Sequence, residues 1–458
     1  MIDSDYDSPL IERVASDPLA LLTAPLADNK LDSGVVTAAE FLGHVQHLAK
    51  RLPEGQHAIN LCDNRYLFLV ALCAAIVRQQ TNLLPPNKII ATQIQLAERY
   101  ADSYIIHDGV NELAELPQFN LSQCNFNDSI SQCEPPKIAL NHIAVISFTS
   151  GSTGEAKPNI KNWRTLLHST RINNRHMLAD PYQTAYHLAT VPGQHMWGLE
   201  TSVLMALFSN VALVDARPLY PHDIATALNL LPEPRTLVST PLHLRALYMS
   251  DIQLPSIHSV LTATAPLTQE LALAIEKKFD TELREVYGCS EAGSMAIRRT
   301  AHTDIWQRFS ELEFRANDFG QIEVSADHLP DAVTLEDNIE LVDADHFRLG
   351  GRSGDQVKIA GKRGSLDEVN KVLLSFPALI DGVVFFPPQE RTVPRLVALV
   401  ILQKGTKKEA LRTHFQNNLD PAFVPRPILM IDALPREDNS KLSKAKLLSF
   451  YRSLVTHS

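Results

Sequence analysis

The chain has 458 residues, of which 45% are hydrophobic and 21% are charged. That length allows about two to four domains with large buried cores, and the composition excludes a disordered, collagen-like or disulfide-stapled protein. The formal net charge of −10 argues against a nucleic-acid coat and against a protein that binds anionic membranes. We therefore expect a globular protein with no nucleic-acid partner.

The cysteines and the apolar runs predict a cytoplasmic location. The five cysteines include no CxxC pair and are too few to staple a chain of this length, so we expect reduced thiols. The first residues, MIDSDYDSPL, are acidic and polar, unlike a signal peptide. The longest apolar run, residues 66–77, is too short to span a bilayer and predicts a buried helix, so we expect no membrane insertion.

Helix and strand patterns alternate from about residue 35 to residue 110 and again after residue 140. Helical spacing of apolar residues predicts helices at 38–52, 65–77 and 269–279. Short apolar runs predict strands at 57–62, 103–107, 143–148, 185–191, 210–214, 236–239, 259–262 and 283–286. Strand–helix–strand units need crossover connections, so the pattern predicts a large α/β domain with mainly parallel or mixed sheets.

The pattern changes after residue 310. Short strands at 311–314, 321–324, 339–342 and 347–349 alternate with turns, which predicts antiparallel hairpins and a small barrel-like subdomain. The glycine-rich segment 349–354 follows and is the predicted domain boundary. Beyond it, predicted helices at 365–374 and 407–417, strands at 379–386 and 396–402 and a tail indicate a small α+β domain. We therefore divide the chain into domains 1–352 and 353–458.

A loop of small residues follows the predicted strand 143–148. Residues 147–157 read SFTSGSTGEAK, in which backbone N–H groups can turn inward, hydroxyls add donors and Lys157 adds a positive charge. These features favour a polyphosphate-binding loop, and a flexible polar turn is the alternative. The loop is not a Walker motif, because Ala156 precedes the lysine and Pro158 follows it.

Three further segments carry polar or aromatic groups. Residues 286–292, VYGCSEA, supply a flat ring, a hydroxyl and a carboxylate suited to Mg²⁺, although a plain strand-end turn is the alternative. Residues 351–361, GRSGDQVKIAG, and 434–444, LPREDNSKLSK, would each, taken alone, be charged surface loops. The sequence has no GxGxxG after a strand, no HExxH and no GxSxG, so a nicotinamide dehydrogenase, a zinc peptidase and an α/β-hydrolase are unsupported.

In this order, the four segments resemble those of the acyl- and aryl-adenylate-forming enzymes, the family of acyl-CoA synthetases, nonribosomal-peptide adenylation domains and luciferases. The resemblance covers residues 35–458. It implies an N-terminal AMP-binding domain followed by a small mobile domain that carries a catalytic lysine. A looser resemblance, through PGQHMWG at 192–198 and LLPP at 83–86, is to the ligases of bacterial aryl-polyene clusters.

The resemblance assigns a nucleotide site. The adenine-stacking ring corresponds to Tyr287, the hydroxyl at the α-phosphate to Ser290, and the ribose contacts to Asp337 and Arg352. The carboxylate that binds Mg²⁺, counted among the catalytic groups, corresponds to Glu291. The remaining positions expected to bind ATP are Thr149, Ser150, Gly151, Ser152, Thr153, Gly154, Lys157, Ala263, Thr264, Ala265 and Gly288.

The resemblance also assigns the acid pocket and the catalytic groups. His195 corresponds to the histidine near the acid's carboxylate, and Trp197 and Gly198 belong to the pocket; a structural histidine and a core tryptophan are the alternatives. Thr264 stands where the family usually has glycine, which would narrow the pocket. Lys441 corresponds to the lysine that stabilises charge at the α-phosphorus, and it follows serine where the family has glycine.

These assignments imply an AMP-forming acid–thiol ligase. ATP, with Mg²⁺, would convert a small or aromatic carboxylic acid to an acyl-adenylate. The thiol of coenzyme A, or of the phosphopantetheine of an acyl carrier protein, would then take the acyl group. The alternatives are a catalytically silent member of the family and an enzyme that stops at the adenylate. Because Glu291, Asp337, Arg352 and Lys441 are all retained, the silent alternative is disfavoured.

The first prediction concerns the hinge between the domains, which the resemblance places at Gly354. Glycine accepts both signs of φ at low steric cost, whereas proline fixes φ near about −65° and restricts the preceding residue. Gly354→Pro should therefore trap one domain arrangement. One half-reaction should stay within about tenfold of wild type while the other falls about 10²-fold, or about 2.7 kcal/mol.

Pyrophosphate exchange and single-turnover thiol transfer, measured separately, test this hinge. Equal loss in both half-reactions would indicate misfolding. No loss in either would place the hinge elsewhere, with Asp355 as the next candidate.

Overall fold

A computed structural model of the chain describes residues 7–109, 116–128, 134–150, 156–178, 180, 182–352, 356–359, 362–387, 395–437 and 440–456. Numbered in chain order, the strands of these ranges are β1 (Asp7–Pro9), β2 (Pro18–Leu22), β3 (Gly34–Thr37), β4 (His57–Asn60), β5 (Thr81–Leu84), β6 (Ser103–His107), β7 (Gln118–Asn120), β8 (Lys137–Ala139), β9 (Ile143–Ser150), β10 (Ala156–Asn162), β11 (Ala185–Ala189), β12 (Val211–Val214), β13 (Arg235–Ser239), β14 (Ser259–Thr262), β15 (Glu282–Cys289), β16 (Gly293–Arg298), β17 (Ile305–Arg308), β18 (Glu313–Ala316), β19 (Ile322–Ser325), β20 (Val333–Thr334), β21 (Asp337–Leu341), β22 (His346–Arg352), β23 (Gln356–Ile359), β24 (Lys362–Ser365), β25 (Leu379–Phe385), β26 (Val397–Leu402) and β27 (Ile428–Met430).

The α-helices of the same ranges are α1 (Ala38–Ala49), α2 (Arg65–Val77), α3 (Ile90–Arg99), α4 (Trp163–Met177), α5 (Met196–Leu199), α6 (Met205–Phe208), α7 (Pro221–Asn229), α8 (Pro241–Met249), α9 (Gln269–Phe279), α10 (Leu366–Leu374), α11 (Lys408–Asn418) and α12 (Lys444–Thr456). A π-helical segment, Glu200–Leu204, joins α5 to α6. Short 3₁₀ helices occur at Ala27–Asn29, Leu121–Gln123 and Phe126–Asp128.

The helix α2 forms the centre of the main core. Its sequence, RYLFLVALCAAIV, is apolar on nearly all sides, and every residue except Val77 is buried. It begins at Asn64, whose side chain accepts hydrogen bonds from the N–H groups of Tyr66 and Leu67 at 3.0 and 3.1 Å. It packs against β4 and β5 on one side and β12 on the other. This helix, like every other in the described ranges, is too short or too polar to cross a membrane.

Two large sheets therefore lie on either side of α2. The first has the strand order β10-β9-β5-β4-β6-β7, in which only the edge strand β10 is antiparallel to its neighbour. The second has the order β21-β22-β17-β16-β15-β14-β13-β11-β12-β2-β3 and is parallel from β15 to β2. Its antiparallel flank contains two of the hairpin strands predicted after residue 310, and β18, β19 and β20 form a separate antiparallel sheet.

The C-terminal part of the chain has its own core. Strands β25, β26 and β27 form a three-stranded sheet. One apolar cluster contains Leu373 and Phe415, from α10 and α11, and a second contains Phe385 and Leu447, from β25 and α12. Among the described residues, neither cluster includes a side chain that precedes Val357.

The predicted fold class, a large α/β unit followed by a small α+β unit, is confirmed. The sequence pattern nevertheless missed elements at both ends. Residues 18–37, left unassigned, contribute β2 and β3 to the large sheet, and the segment after residue 417, predicted to be a tail, forms β27 and α12. The hinge residue Gly354 lies outside the described residues.

Candidate active site

A cleft of about 720 Å³ lies at the carboxyl ends of parallel strands in the large sheet. Residues 263–270 follow β14 and line it, as do the last residues of β15. Loops that follow parallel strands meet at one edge of a sheet, which is where α/β proteins bind ligands. The predicted nucleotide-binding residues that line this cleft are Ala263, Thr264, Ala265, Tyr287, Gly288, Ser290 and Asp337.

Tyr287 and Asp337 are joined within this cleft. The Tyr287 hydroxyl donates a hydrogen bond of 2.8 Å to Oδ2 of Asp337. The tyrosine ring also packs edge-on against Phe347, with ring centroids 5.9 Å apart. Asp337 is paired with Arg352 across β21 and β22, so the two predicted ribose-binding positions are neighbours. The side chain of Arg352 is outside the described part of the structure.

A smaller cavity of about 80 Å³ adjoins the cleft and contains the predicted acid-binding residues His195, Trp197 and Gly198 in its lining. The two cavities are adjacent, because Met196, Trp197, Thr264, Ser290 and Lys441 line both of them.

Trp197 and Gly198 owe their positions to close packing of α5. The indole Nε1 of Trp197 donates a hydrogen bond of 3.3 Å to the carbonyl oxygen of Ser239, at the end of β13. A Cβ atom on Gly198 would lie 2.0 Å from the carbonyl oxygen of Pro192. Only glycine therefore permits α5 to approach the preceding turn, and this approach sets one wall of the smaller cavity.

Thr264 has a left-handed backbone, with φ of +80°. A β-branched residue in this region is strained. Its hydroxyl is buried and finds no hydrogen-bond partner among the described residues. Since Thr264 lines both cavities, its side chain narrows the passage between them.

Lys441 approaches the cavities from the C-terminal part of the chain. Together with Glu437 it lines the smaller cavity, and it also lines the larger cleft. It therefore lies where the predicted acid pocket meets the predicted nucleotide site.

Other predicted residues are not part of either lining, or lie outside the described residues. Glu291 and Lys157 are both exposed, and neither lines these two cavities. Lys157 is paired with Thr149 across β9 and β10. The residues of the predicted phosphate loop whose side chains lie outside the described part are Thr149, Ser150, Gly151, Ser152, Thr153 and Gly154.

The AMP-binding enzyme family matches residues 47–312, which is more than half of the chain. The chain belongs to this family. The family and the class of AMP-forming ligases predicted from the motifs are thereby confirmed.

Relatives of this AMP-binding enzyme include ligases for aromatic acids. The 3,4-dihydroxybenzoate–[aryl-carrier protein] ligase of Bacillus anthracis is 21% identical over 388 residues, which are 80% of this chain and 89% of the relative. A linear gramicidin synthase of Brevibacillus parabrevis is 37% identical over 101 residues, and the chain spans only 2% of that protein. The crystal structure of the anthranilate CoA ligase AuaEII with anthranoyl-AMP has a TM-score of 0.80 at 14% identity, covering 98% of this chain and 99% of that one.

Lys161 and Glu200, which the motifs did not indicate, lie beneath the turn that carries Ser290 and Glu291. Both are almost fully buried. The Lys161 ammonium donates a hydrogen bond to the carbonyl oxygen of Glu291. Oε2 of Glu200 accepts hydrogen bonds from the backbone N–H and the hydroxyl of Ser294, at 3.2 and 2.8 Å. Two buried charges thus hold this turn, Lys161 at Glu291 and Glu200 at the start of β16.

The two charges also act on each other. Burial lowers the pKa of Lys161 and raises the pKa of Glu200, and in each case the opposite charge of the other residue opposes that effect. A signal for Glu200 was available in the sequence, because it is the only charged residue in the apolar segment 196–208. Lys161 gave no comparable signal, since a lysine in a strand of alternating polar residues is usually exposed.

Glu291 has the donor chemistry for a Mg²⁺ ion whose other ligands would be phosphate oxygens and water. Within the described ranges, no group of three or more His, Cys, Asp or Glu side chains could hold a metal ion. Mg²⁺ usually needs one or two carboxylates, with phosphate oxygens and water as the other ligands. Glu291 offers one exposed carboxylate, and the bond from Lys161 holds its backbone against β10, the strand that follows the predicted phosphate loop.

The second prediction concerns the buried charges. Lys161→Met removes the hydrogen bond to Glu291 and leaves the Glu200 carboxylate without this positive charge. We expect the free energy of unfolding to fall by about 2–3 kcal/mol, because a buried charge loses its compensation. The double variant Lys161→Met/Glu200→Gln should recover part of that loss. Urea unfolding of the wild type, Lys161→Met, Glu200→Gln and the double variant measures the coupling, and strictly additive losses would contradict it.

Proposed function

We propose that this AMP-binding enzyme activates a small or aromatic carboxylic acid with ATP and Mg²⁺. The first product is an acyl-adenylate with release of pyrophosphate, and the second half-reaction transfers the acyl group to the thiol of coenzyme A or of a carrier-protein phosphopantetheine. The observation that carries this proposal is the position of Lys441, which lines both the cleft and the adjoining cavity.

The cleft supports a nucleotide at its Tyr287 end. The tyrosine ring offers a flat face for adenine, and Asp337 offers carboxylate oxygens to ribose hydroxyls. The hydrogen bond between these two side chains holds each in one orientation, so the cleft is formed before the ligand arrives. Ser290 lines the passage toward the smaller cavity and could donate its hydroxyl hydrogen to the α-phosphate.

The junction of the cavities supports the chemistry. When a carboxylate attacks the α-phosphorus, negative charge increases on the phosphoryl oxygens, and a fixed ammonium group there lowers the barrier. Lys441 lies at this junction, and His195 lies in the smaller cavity that would hold the carboxylate. Mg²⁺, when bound through Glu291 and the phosphates, would neutralise further negative charge.

The relatives support an aromatic or small acid. The Bacillus anthracis relative acts on 3,4-dihydroxybenzoate, and the AuaEII structure contains anthranoyl-AMP. In this chain the smaller cavity is walled by Phe148, Met196 and Trp197 and is narrowed by Thr264. A flat ring suits such a pocket better than a long flexible chain does.

We also propose that the domains divide at residues 352 and 353 and that the C-terminal domain, 353–458, rotates between the half-reactions. The separate apolar clusters of the two parts support independent domains. Rotation would withdraw Lys441 and bring the segment 358–362 to the cleft for the thiol step.

One experiment distinguishes the proposed ligase from a catalytically silent member and from an enzyme that stops at the adenylate. It measures pyrophosphate release from a panel of acids, with and without coenzyme A and carrier protein.

The third prediction tests Lys441. Lys441→Ala should lower adenylate formation by more than about 10²-fold, because a positioned donor at the developing charge is lost. Thiol transfer from a supplied adenylate should change far less. Pyrophosphate exchange and single-turnover transfer measure the two steps. The matched control is Lys444→Ala, since Lys444 is exposed at the start of α12 and lines neither cavity. A large defect in the control alone would mean that the lysine has been assigned wrongly.

The fourth prediction concerns the acid. The wild type should prefer benzoate-type acids to fatty acids longer than about eight carbons, because overpacking a rigid pocket costs about 1–3 kcal/mol. Thr264→Gly should widen the range of acids that are accepted. The free energy of unfolding of Thr264→Gly should stay within about 1 kcal/mol of wild type. Glycine relieves the left-handed strain of the folded state, and this gain offsets the larger conformational entropy that glycine gives the unfolded chain. Equal kcat/KM for palmitate and benzoate in the wild type would contradict this prediction.

A further inference from the structure

The turn that precedes Lys441 is closed by its own backbone. The N–H of Glu437 donates to the carbonyl oxygen of Lys441 at 2.8 Å, and the N–H of Ser440 donates to the carbonyl oxygen of Glu437 at 2.8 Å. Ser440 is buried and has a left-handed backbone, with φ of +65°. These bonds shape the turn, but they do not tie it to the rest of the domain.

Arg436 provides that tie. Its Nη1 donates to the carbonyl oxygen of Ser440 at 2.8 Å, directly before Lys441. Its Nε and Nη2 donate to the two carboxylate oxygens of Asp381, at 2.7 and 2.6 Å. Asp381 belongs to β25, and both side chains are largely buried, at 20% and 11% exposure. A bidentate arginine–carboxylate pair is among the most rigid polar contacts in proteins.

The C-terminal part also contacts the N-terminal part of the chain close to Asp381. Arg245, in α8, donates hydrogen bonds to the carbonyl oxygens of Leu374 and Leu379, at 2.9 and 3.4 Å. Burial lowers the pKa of Arg245, and the charge of Asp381 opposes this effect. The hydroxyls of Thr240 and Ser440 are 3.5 Å apart at the start of the same helix. Arg245 therefore bonds to the same strand, β25, that carries Asp381, the partner of Arg436.

We infer that Arg436, held by Asp381, is a positioning residue for Lys441, and that Arg245 holds this unit against the N-terminal domain in the arrangement that forms the adenylate. This inference rests on the proposed function of Lys441. Arg436 acts through Lys441, so its contribution belongs to the first half-reaction. Within the described part of the chain, the side chain of Arg245 makes both of its hydrogen bonds across the boundary, so it favours one domain arrangement.

The test compares the two half-reactions of the full-length enzyme. Arg436→Lys keeps a positive charge but cannot make the bidentate pair together with the bond to Ser440. We expect kcat for pyrophosphate release to fall about 10–10²-fold, as for a catalytic group displaced by about 1 Å, with little change in KM for ATP. Thiol transfer from a supplied adenylate should stay within about threefold of wild type. The control is Arg412→Lys, on an exposed residue of α11, which should change neither step.

A double variant decides whether Arg436 works through Lys441. If it does, Arg436→Lys/Lys441→Ala should be no slower in pyrophosphate release than Lys441→Ala alone, because the group being positioned is already absent. A further multiplicative loss in the double variant would overturn the inference. Equal loss of both half-reactions in Arg436→Lys would also overturn it, because a purely structural role would affect both.

Two further variants keep the test decisive if Arg436→Lys does not fold. Asp381→Asn preserves shape and removes the charge that holds Arg436, and Arg245→Met removes the bonds across the boundary. Both should slow pyrophosphate release and spare thiol transfer, and normal pyrophosphate release in both would overturn the inference.

Lys441→Ala, measured in parallel, separates the positioning inference from the proposed role of Lys441. If it is impaired while the Arg436, Asp381 and Arg245 variants are normal, only the positioning inference fails; if it retains full rate, the role of Lys441 fails as well.

Discussion

The candidate site depends on one constraint, which is that six neighbouring strands of the large sheet, β2, β12, β11, β13, β14 and β15, run in the same direction. Their carboxyl ends therefore share one edge, and the loops that follow β11, β14 and β15 converge there. His195, Thr264 and Ser290 are far apart in the chain, yet they line the same small cavity because each follows one of these strands. The parallel arrangement in turn requires crossover helices, which supply the apolar surfaces that bury the sheet.

Local patterns were sufficient to predict the elements whose signal lies in their own sequence. The helix α2 and the strands β6 and β14 have the predicted bounds, because an all-apolar helix and short β-branched runs each have one stable environment. The motif at 286–292 predicted one part of the cleft, because Tyr287, Gly288 and Ser290 line it at the end of β15. From the motifs at 351–361 and 434–444, Gly351 and Lys441 line it as well. α12 was missed although Leu447, Tyr451 and Leu454 have helical spacing, because charged and polar neighbours obscure the apolar face.

The contacts that hold the site together could not be predicted from sequence patterns, because they join distant segments. Lys161 and Glu200 are near the turn at Glu291 only after three strands and a helix have packed. Arg436 and Asp381 are separated by 55 positions and meet through the fold of the C-terminal sheet. The strain at Thr264 is likewise a property of the backbone path after β14, and only the family's glycine at that position hinted at it. Thus the motifs predict the residues that would contact the ligand, whereas the residues that hold them in place are identified only from the structure.

The strengths of these supporting contacts differ in a way that suits the proposed rotation of the C-terminal domain. Within the C-terminal part, Arg436 makes three hydrogen bonds, two of them to a carboxylate, so the turn before Lys441 would travel with its domain as a rigid unit. Across the boundary, Arg245 makes two bonds to backbone carbonyls, one of them long at 3.4 Å. Such bonds contribute about 1.5–3 kcal/mol each at most. A ligand that shifts two domain arrangements from 1:99 to 99:1 must bind the favoured arrangement more tightly by about 5.5 kcal/mol. Two bonds of this strength help to favour one arrangement, and a change of ligand can outweigh their contribution.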